Sequence, residues 1–227
     1  MVFCETRPIA FENWPNKSVK AIVNWANGKR KNDRAKQDMK AADKKMLKEV
    51  LSLRNTQGLV EWSLWTRAPL RKLFSLTYDK DRKIRYQAIE AIGLLASRMA
   101  KKDEETVRNF LRSLLWLMSE ESGGIGWHAP EAIAEICINL PQLSEEYARL
   151  LPQFVKEDSF RPSALAALYR LAPTSPGIIK DHATEILYTT GAKHEFQVYD
   201  FSKRVFSQKM VWHIFELAGL TNEELSA

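Results

Sequence analysis

The chain has 227 residues, 45% hydrophobic and 27% charged, with a formal net charge of +6, a composition ordinary for a globular protein and too apolar for an unfolded one. That length suits one domain able to bury roughly 70% of the surface its unfolded form exposes, so no covalent staple is required. The two cysteines, Cys4 and Cys137, stand outside any metal-ligand spacing, and no uncharged run approaches the ~18 apolar residues of a membrane span.

The opening residues, Met1 to Pro8, hold no apolar run of the signal-peptide kind, so the expected compartment is the cytoplasm and no membrane contact is expected. Charge is unevenly spread. Residues 1–102 carry 23 basic and 10 acidic side chains, and residues 103–227 carry 11 and 18. Such a separation steers the basic end toward phosphates or an acidic partner. The simpler use of the same residues is a solvated, lysine-rich helix face.

Strand signals are scarce, because no apolar–polar alternation is sustained and Asn27-Gly28 leads into a basic loop. Val19, Ile22, Val23 and Ala26 recur at helical spacing, and Gly28 ends that short helix. A second helix is predicted over 33–53, with Ala35, Met39, Ala42, Met46, Val50 and Leu53 as its apolar seam. Residues 17–54 hold 12 basic and 4 acidic side chains, and weak, nonspecific nucleic-acid binding is expected there. Residues 1–57 read as a basic helical segment packed on a stack of later helices, with Asn55-Thr-Gln-Gly58 as the break.

Over 58–190 the predicted helices become shorter and more apolar. Leu59, Trp62 and Trp65 form one stretch, and Leu70, Leu73, Phe74 and Leu76 come after Pro69 in a first turn. Asp79-Lys-Asp81 ends that helix and caps the next, which carries Ala88-x-x-Ala91-Ile92. The phrase returns as Ala129-x-x-Ala132-Ile133 and Ala164-x-x-Ala167-Leu168, spaced by 41 and 35 residues. Each copy comes after an apolar helix, over 70–76, 107–118 and 150–155. Each turn holds an acid: Asp79 and Asp81, Glu120 and Glu121, then Asp158. Arg85 and Arg161 stand three positions before the first alanine in the outer copies.

Over residues 66–172 this pattern resembles the HEAT repeat family, an armadillo-type group that includes the phycobilisome-lyase-like branch. The resemblance implies an all-α fold, a short right-handed α–α superhelix of HEAT-like hairpins. It also implies that turn acid and arginine interact between neighbouring helices, giving Asp81, Arg85, Asp158 and Arg161 a structural role. By the same analogy the chain is a binding or scaffold protein presenting its surface to a protein partner, with no cofactor and no catalysis. In size, charge and helix order the chain is also similar to HEAT-like alkylpurine DNA glycosylases, whose active groove carries a tryptophan followed shortly by an aspartate. The corresponding segment here, Glu121-Ser-Gly-Gly-Ile-Gly-Trp127, has no aspartate, so a nucleic-acid-binding relative of that kind would lack a recognisable catalytic acid.

The middle turn, Glu120 to Pro130, is longer than its neighbours and puts Gly126 where the arginine stands. Its glycines open backbone conformations closed to other residues. Trp127, His128 and Glu131, with Glu120 and Glu121, form the candidate binding site. His128, Glu131 and Glu135 fall on one helix face, as metal ligands can, but no second motif joins them and no metal is expected. The glycines have no preceding strand and no subsequent Gly-Lys-Ser, so no nucleotide fingerprint is present. His182, His194 and His213 are isolated, and no nucleophile–base–acid arrangement is legible. Trp25, Trp62, Trp65, Trp116 and Trp212 sit at positions compatible with packing. Trp127 either plugs the core or lines a cleft, and the glycines favour the cleft. Beyond Pro173 a helix is predicted over 178–188. Residues 191–227 read as a capping segment, ending in a helix over 208–218 with Met210, Val211, Ile214, Phe215 and Leu217 as its stripe.

Overall fold

Every regular element among the described residues of this computed structural model (33–119, 126–190 and 208–221) is helical. The order is α1 (Asp33–Ser52), α2 (Thr56–Trp65), α3 (Pro69–Leu76), α4 (Arg82–Ala100), α5 (Glu104–Ser119) and α6 (Ala129–Asn139). Two 3-10 stretches (Pro141–Leu143 and Ala148–Val155) then flank the single-turn α7 (Ser144–Tyr147), and after them come α8 (Arg161–Leu171), α9 (Pro176–Asp181), α10 (Ala183–Thr190) and α11 (Gln208–Leu217). The predicted short helix ending at Gly28, together with Trp25, Glu120, Glu121 and His194, lies outside the described residues.

The contacts arrange these elements in two layers. Helices α1, α4, α6, α8 and α11 form a row in which each packs on the next, while α2, α3, α5, the 141–155 segment, α9 and α10 pack against that row. The repeated alanine phrase is the reason the row closes. Ala88, Ala129, Ala132, Ala164 and Ala167 are fully buried, and so are the branched residues Ile92, Ile133 and Leu168. Small side chains let helices approach, and each buried Ile or Leu contributes about 1.5–3 kcal/mol. The closest approach is at Gly93, where an added Cβ would press on the Glu135 carbonyl oxygen of α6 and lie 2.6 Å from Asn139 Nδ2.

The outer layer obeys its apolar periodicity. Leu70, Leu73, Phe74 and Leu76 of α3 are buried, as are Val107, Phe110, Leu111, Leu114 and Met118 of α5. One continuous core runs from Leu47 to Ala218.

Several expectations need correction. The expected break over Asn55-Thr-Gln-Gly58 begins at the cap of α2 and runs into that helix, which starts at Thr56. The chain instead reverses at Arg54, with φ 49°, and Asn55 caps α2 by accepting the Gly58 N–H at 2.8 Å. A side chain at position 58 would collide with that cap, since its Cβ would lie 2.7 Å from Asn55 Nδ2. In α1 the buried stripe is Leu47, Val50 and Leu51, while Leu53, just past the helix end at that reversal, is 67% exposed. Ala35 and Met39 lie outside the described side chains. The segment expected as a helix over 150–155 is 3-10, because Pro152 has no N–H to give an α ladder. The single helix expected over 178–188 is two, parted at His182.

The tryptophans also divide. Trp62 is buried with its indole N–H donating to Asp43 Oδ1 at 2.7 Å, but Trp65 and Trp116 project from their helices and are 72% and 65% exposed.

Candidate binding site

Two of the repeat turns share one construction. Arg85 donates from Nη1 to the carbonyls of Asp79 (2.7 Å) and Lys80 (3.3 Å). Arg161 donates to the carbonyls of Val155 (2.8 Å) and Lys156 (3.3 Å), at the same offsets of six and five residues back. Each guanidinium therefore reaches over the turn and satisfies carbonyls around the end of the preceding element. The acids act differently from each other. Asp81 caps α4 by accepting the Lys83 N–H at 2.8 Å, whereas Asp158 forms an ion pair with Arg161 at 2.7 Å within the turn. Neither interaction links neighbouring helices in the way the resemblance implied.

The middle turn has no such arginine. An added Cβ on Gly126 would lie 2.9 Å from the Leu117 Cβ, so the backbone here rests directly on the end of α5. Ala129 N–H donates to the Gly126 carbonyl at 2.7 Å and starts α6. Trp127 is consequently turned outward: its residue is 39% exposed and it does not plug the core. His128 is the N-cap residue, its Nδ1 lies 3.0 Å from Glu131 Oε1, and its ring meets Tyr78 edge-on with centroids 5.6 Å apart. Tyr78 is 45% exposed and also packs edge-on against Phe74. Partial burial pushes its phenol above the usual value, opposed by a hydrogen bond from the His128 backbone.

Of the predicted site residues, His128 and Glu131 are in contact, Trp127 precedes them in the turn, and Glu135 lies one turn further along α6. Glu135 has a different partner: its Oε2 is 2.7 Å from Arg170 Nη1 of α8, with both side chains close to nine-tenths buried. The guanidinium carbon sits 4.6 Å from the centroid of the Tyr86 ring of α4. Burial holds the Glu135 carboxyl above its usual value; Arg170 counteracts this and Glu90 adds to it. On the far side of Arg170, Tyr169 stacks on His213 of α11 with centroids 5.5 Å apart. A polar and aromatic band thus crosses α4, α6, α8 and α11. Sequence reasoning missed it, although a Tyr-Arg pair in an otherwise apolar helix (Tyr169-Arg170) was a signal.

Cys137 is buried and its thiol is pushed up to about 12 by desolvation, which makes it inert as a nucleophile. Among the described residues no group of three His, Cys, Asp or Glu side chains is placed to hold a metal ion, and no helix is long and apolar enough to cross a membrane. An open groove of about 210 Å³ runs between the start of α3 and α5, lined by Pro69, Leu70, Arg71, Met99 and Phe110.

No family model matches this sequence, and no solved structure matches it. Over 93 residues the chain is 34% identical to an uncharacterised protein of Archaeoglobus fulgidus, a stretch covering 39% of this chain and 48% of that protein. The chain therefore spans about half the length of the relative it matches.

Proposed function

We propose that this protein is a non-catalytic binding or scaffold module, a short HEAT-like superhelix acting in the cytoplasm, that presents the α4–α6–α8–α11 face to a protein partner. The observation that carries the reading is the band on that face. Arg170 is locked between Glu135 and Tyr86, and Tyr169 is held against His213. Tyr86 and Tyr169 remain 49% and 39% exposed. Tyrosine and arginine are the residues that dominate protein interfaces, and side chains already fixed lose little entropy on binding.

The alternative, a HEAT-like nucleic-acid repair enzyme, would need a basic groove along this face. The central guanidinium of this face, Arg170, is already paired with Glu135. Affinity capture with the wild type and a Tyr86→Ser/Tyr169→Ser variant tests the reading. The expected result is a polypeptide retained by the first and lost by the second at unchanged melting temperature. Equal retention by both, or retention of nucleic acid alone, would overturn it.

A further inference from the structure

The two regions that stand out in the sequence, the basic α1 and the Trp127 turn, meet on one edge of the molecule. Lys48 of α1 forms an ion pair with Asp79 at 2.6 Å, and Arg54 reaches Glu90 at 4.0 Å, so α1 runs alongside α4 in the same direction. The start of α4 in turn lies beside the start of α6, because Tyr78 touches His128. The edge therefore reads, from α1 across to α6, as Lys44 and Lys48, then Tyr78, Lys80, Arg82 and Lys83, then Trp127 and His128. Lys44, Lys80, Arg82 and Lys83 are exposed. The acids among them are spent locally: Asp79 on Lys48, Asp81 on the α4 cap and Glu131 on His128. These four exposed cationic side chains share the edge with two half-exposed aromatic rings.

We infer that this edge binds single-stranded nucleic acid, with the α1 and α4 cations tracking the phosphates and Trp127 and Tyr78 offering faces for bases to stack on. Cations with interspersed exposed aromatics suit a strand whose bases are unpaired, since every base has a stacking face and duplex bases do not expose theirs. An acidic protein would use the cations and leave the rings idle. The edge adjoins the α4–α11 face at Tyr86, but its test residues, Trp127, Tyr78, Lys80 and Lys83, differ from Tyr86 and Tyr169, so either proposal can fail alone.

The test is fluorescence anisotropy of a labelled oligo-dT or oligo-U of about 20 nucleotides with the full chain. Neutralising about four phosphates predicts log affinity falling against log salt with a slope near −3. Trp127→Ala and Tyr78→Ala should each weaken binding roughly tenfold, with Trp127→Phe restoring most of it. Lys80→Glu/Lys83→Glu should weaken it and flatten the salt slope. Tyr188→Ala, which removes an aromatic that is 90% exposed on another helix, should change nothing. Thermal melts of each variant separate misfolding from lost contact, and Trp127→Phe keeps the test alive should Trp127→Ala unfold. Overturning results are absence of binding at low salt, equal affinity for a polyglutamate peptide, or aromatic variants that bind as well as the wild type.

Discussion

Removing Arg170 probes the fold most directly. Its ion pair with Glu135 is 2.7 Å long between side chains 13% and 14% exposed, which is burial enough for the cost of breaking one side to exceed the worth of the pair. Arg170→Met strands a desolvated carboxylate beside Glu90 and removes the guanidinium from the Tyr86 ring. A loss of about 3–5 kcal/mol is expected at pH 7, or about 6–20 °C in melting temperature for a chain of this size. The sign of the pH dependence comes from the Glu135 carboxyl, already held above its usual value by burial. A raised acid contributes stability fully below its unfolded value and loses that contribution as pH rises through the folded one. Without Arg170 the value rises further, so the variant's deficit should be smallest near pH 4, where an unfolded glutamate titrates, and grow toward pH 7. The double variant Glu135→Leu/Arg170→Met should recover most of the loss, since an apolar pair has no charge to strand. Urea unfolding of four proteins (the wild type, Arg170→Met, Glu135→Leu and the double variant) at two pH values reads all of this. A single variant within about 0.5 kcal/mol of wild type, or a double variant as unstable as the sum of the singles, would refute the reasoning.

Gly93→Ala should destabilise by about 1–3 kcal/mol even though alanine is the better helix former, because the new methyl meets the α6 backbone; a stabilised variant in thermal unfolding would show that the helices are further apart. Arg85→Ala and Arg161→Ala should each cost about 1–2 kcal/mol, by similar amounts, with lysine recovering only part, as measured by denaturant midpoints. Lys48→Met removes the main cause of the depressed Asp79 value. That carboxylate contributes stability above its unfolded value and loses it as pH falls through the folded one. The variant should therefore be less stable by about 1 kcal/mol at neutral pH, allowing for the exposure of Lys48, and should show a flatter acid limb in a melting-temperature profile.

The helical architecture was legible because burial imposes periodicity. The stripe of α3 was read residue for residue, and the three alanine phrases mark the row helices because small and branched residues at that spacing are what close packing requires. Element ends and partners were less legible. Leu53 and Trp65 look apolar in sequence, yet each sits where its helix stops, so no neighbour covers it. Gly58 read as a breaker, although it is the residue that leaves room for the Asn55 cap. Glu135 and Arg170 are 35 positions apart and on different helices; each alone resembles an ordinary surface charge. Trp127, His128 and Glu131 were singled out by the departure of their turn from the repeat, and the contact of His128 with Tyr78 needed the tertiary fold.

The middle turn departs from its neighbours for a reason the flanking turns make clear. In the first and third, an arginine six residues after a carbonyl reaches back and satisfies it, so a long side chain occupies the space over the turn. Gly126 removes that side chain and lets the backbone settle on Leu117 instead. The next residue, Trp127, is 39% exposed. His128 comes next as N-cap with its ring against Tyr78, which belongs to the preceding turn. This contact couples two consecutive turns through a pair of rings, on the edge where α1 brings its lysines. Gly126→Arg is expected to displace α5 from the turn, because its Cβ has no room against Leu117, and to lower stability rather than add a third pair of carbonyl bonds. The same substitution should diminish oligonucleotide binding together with Trp127 exposure, which iodide quenching would report in a background with Trp65 and Trp116 replaced by phenylalanine.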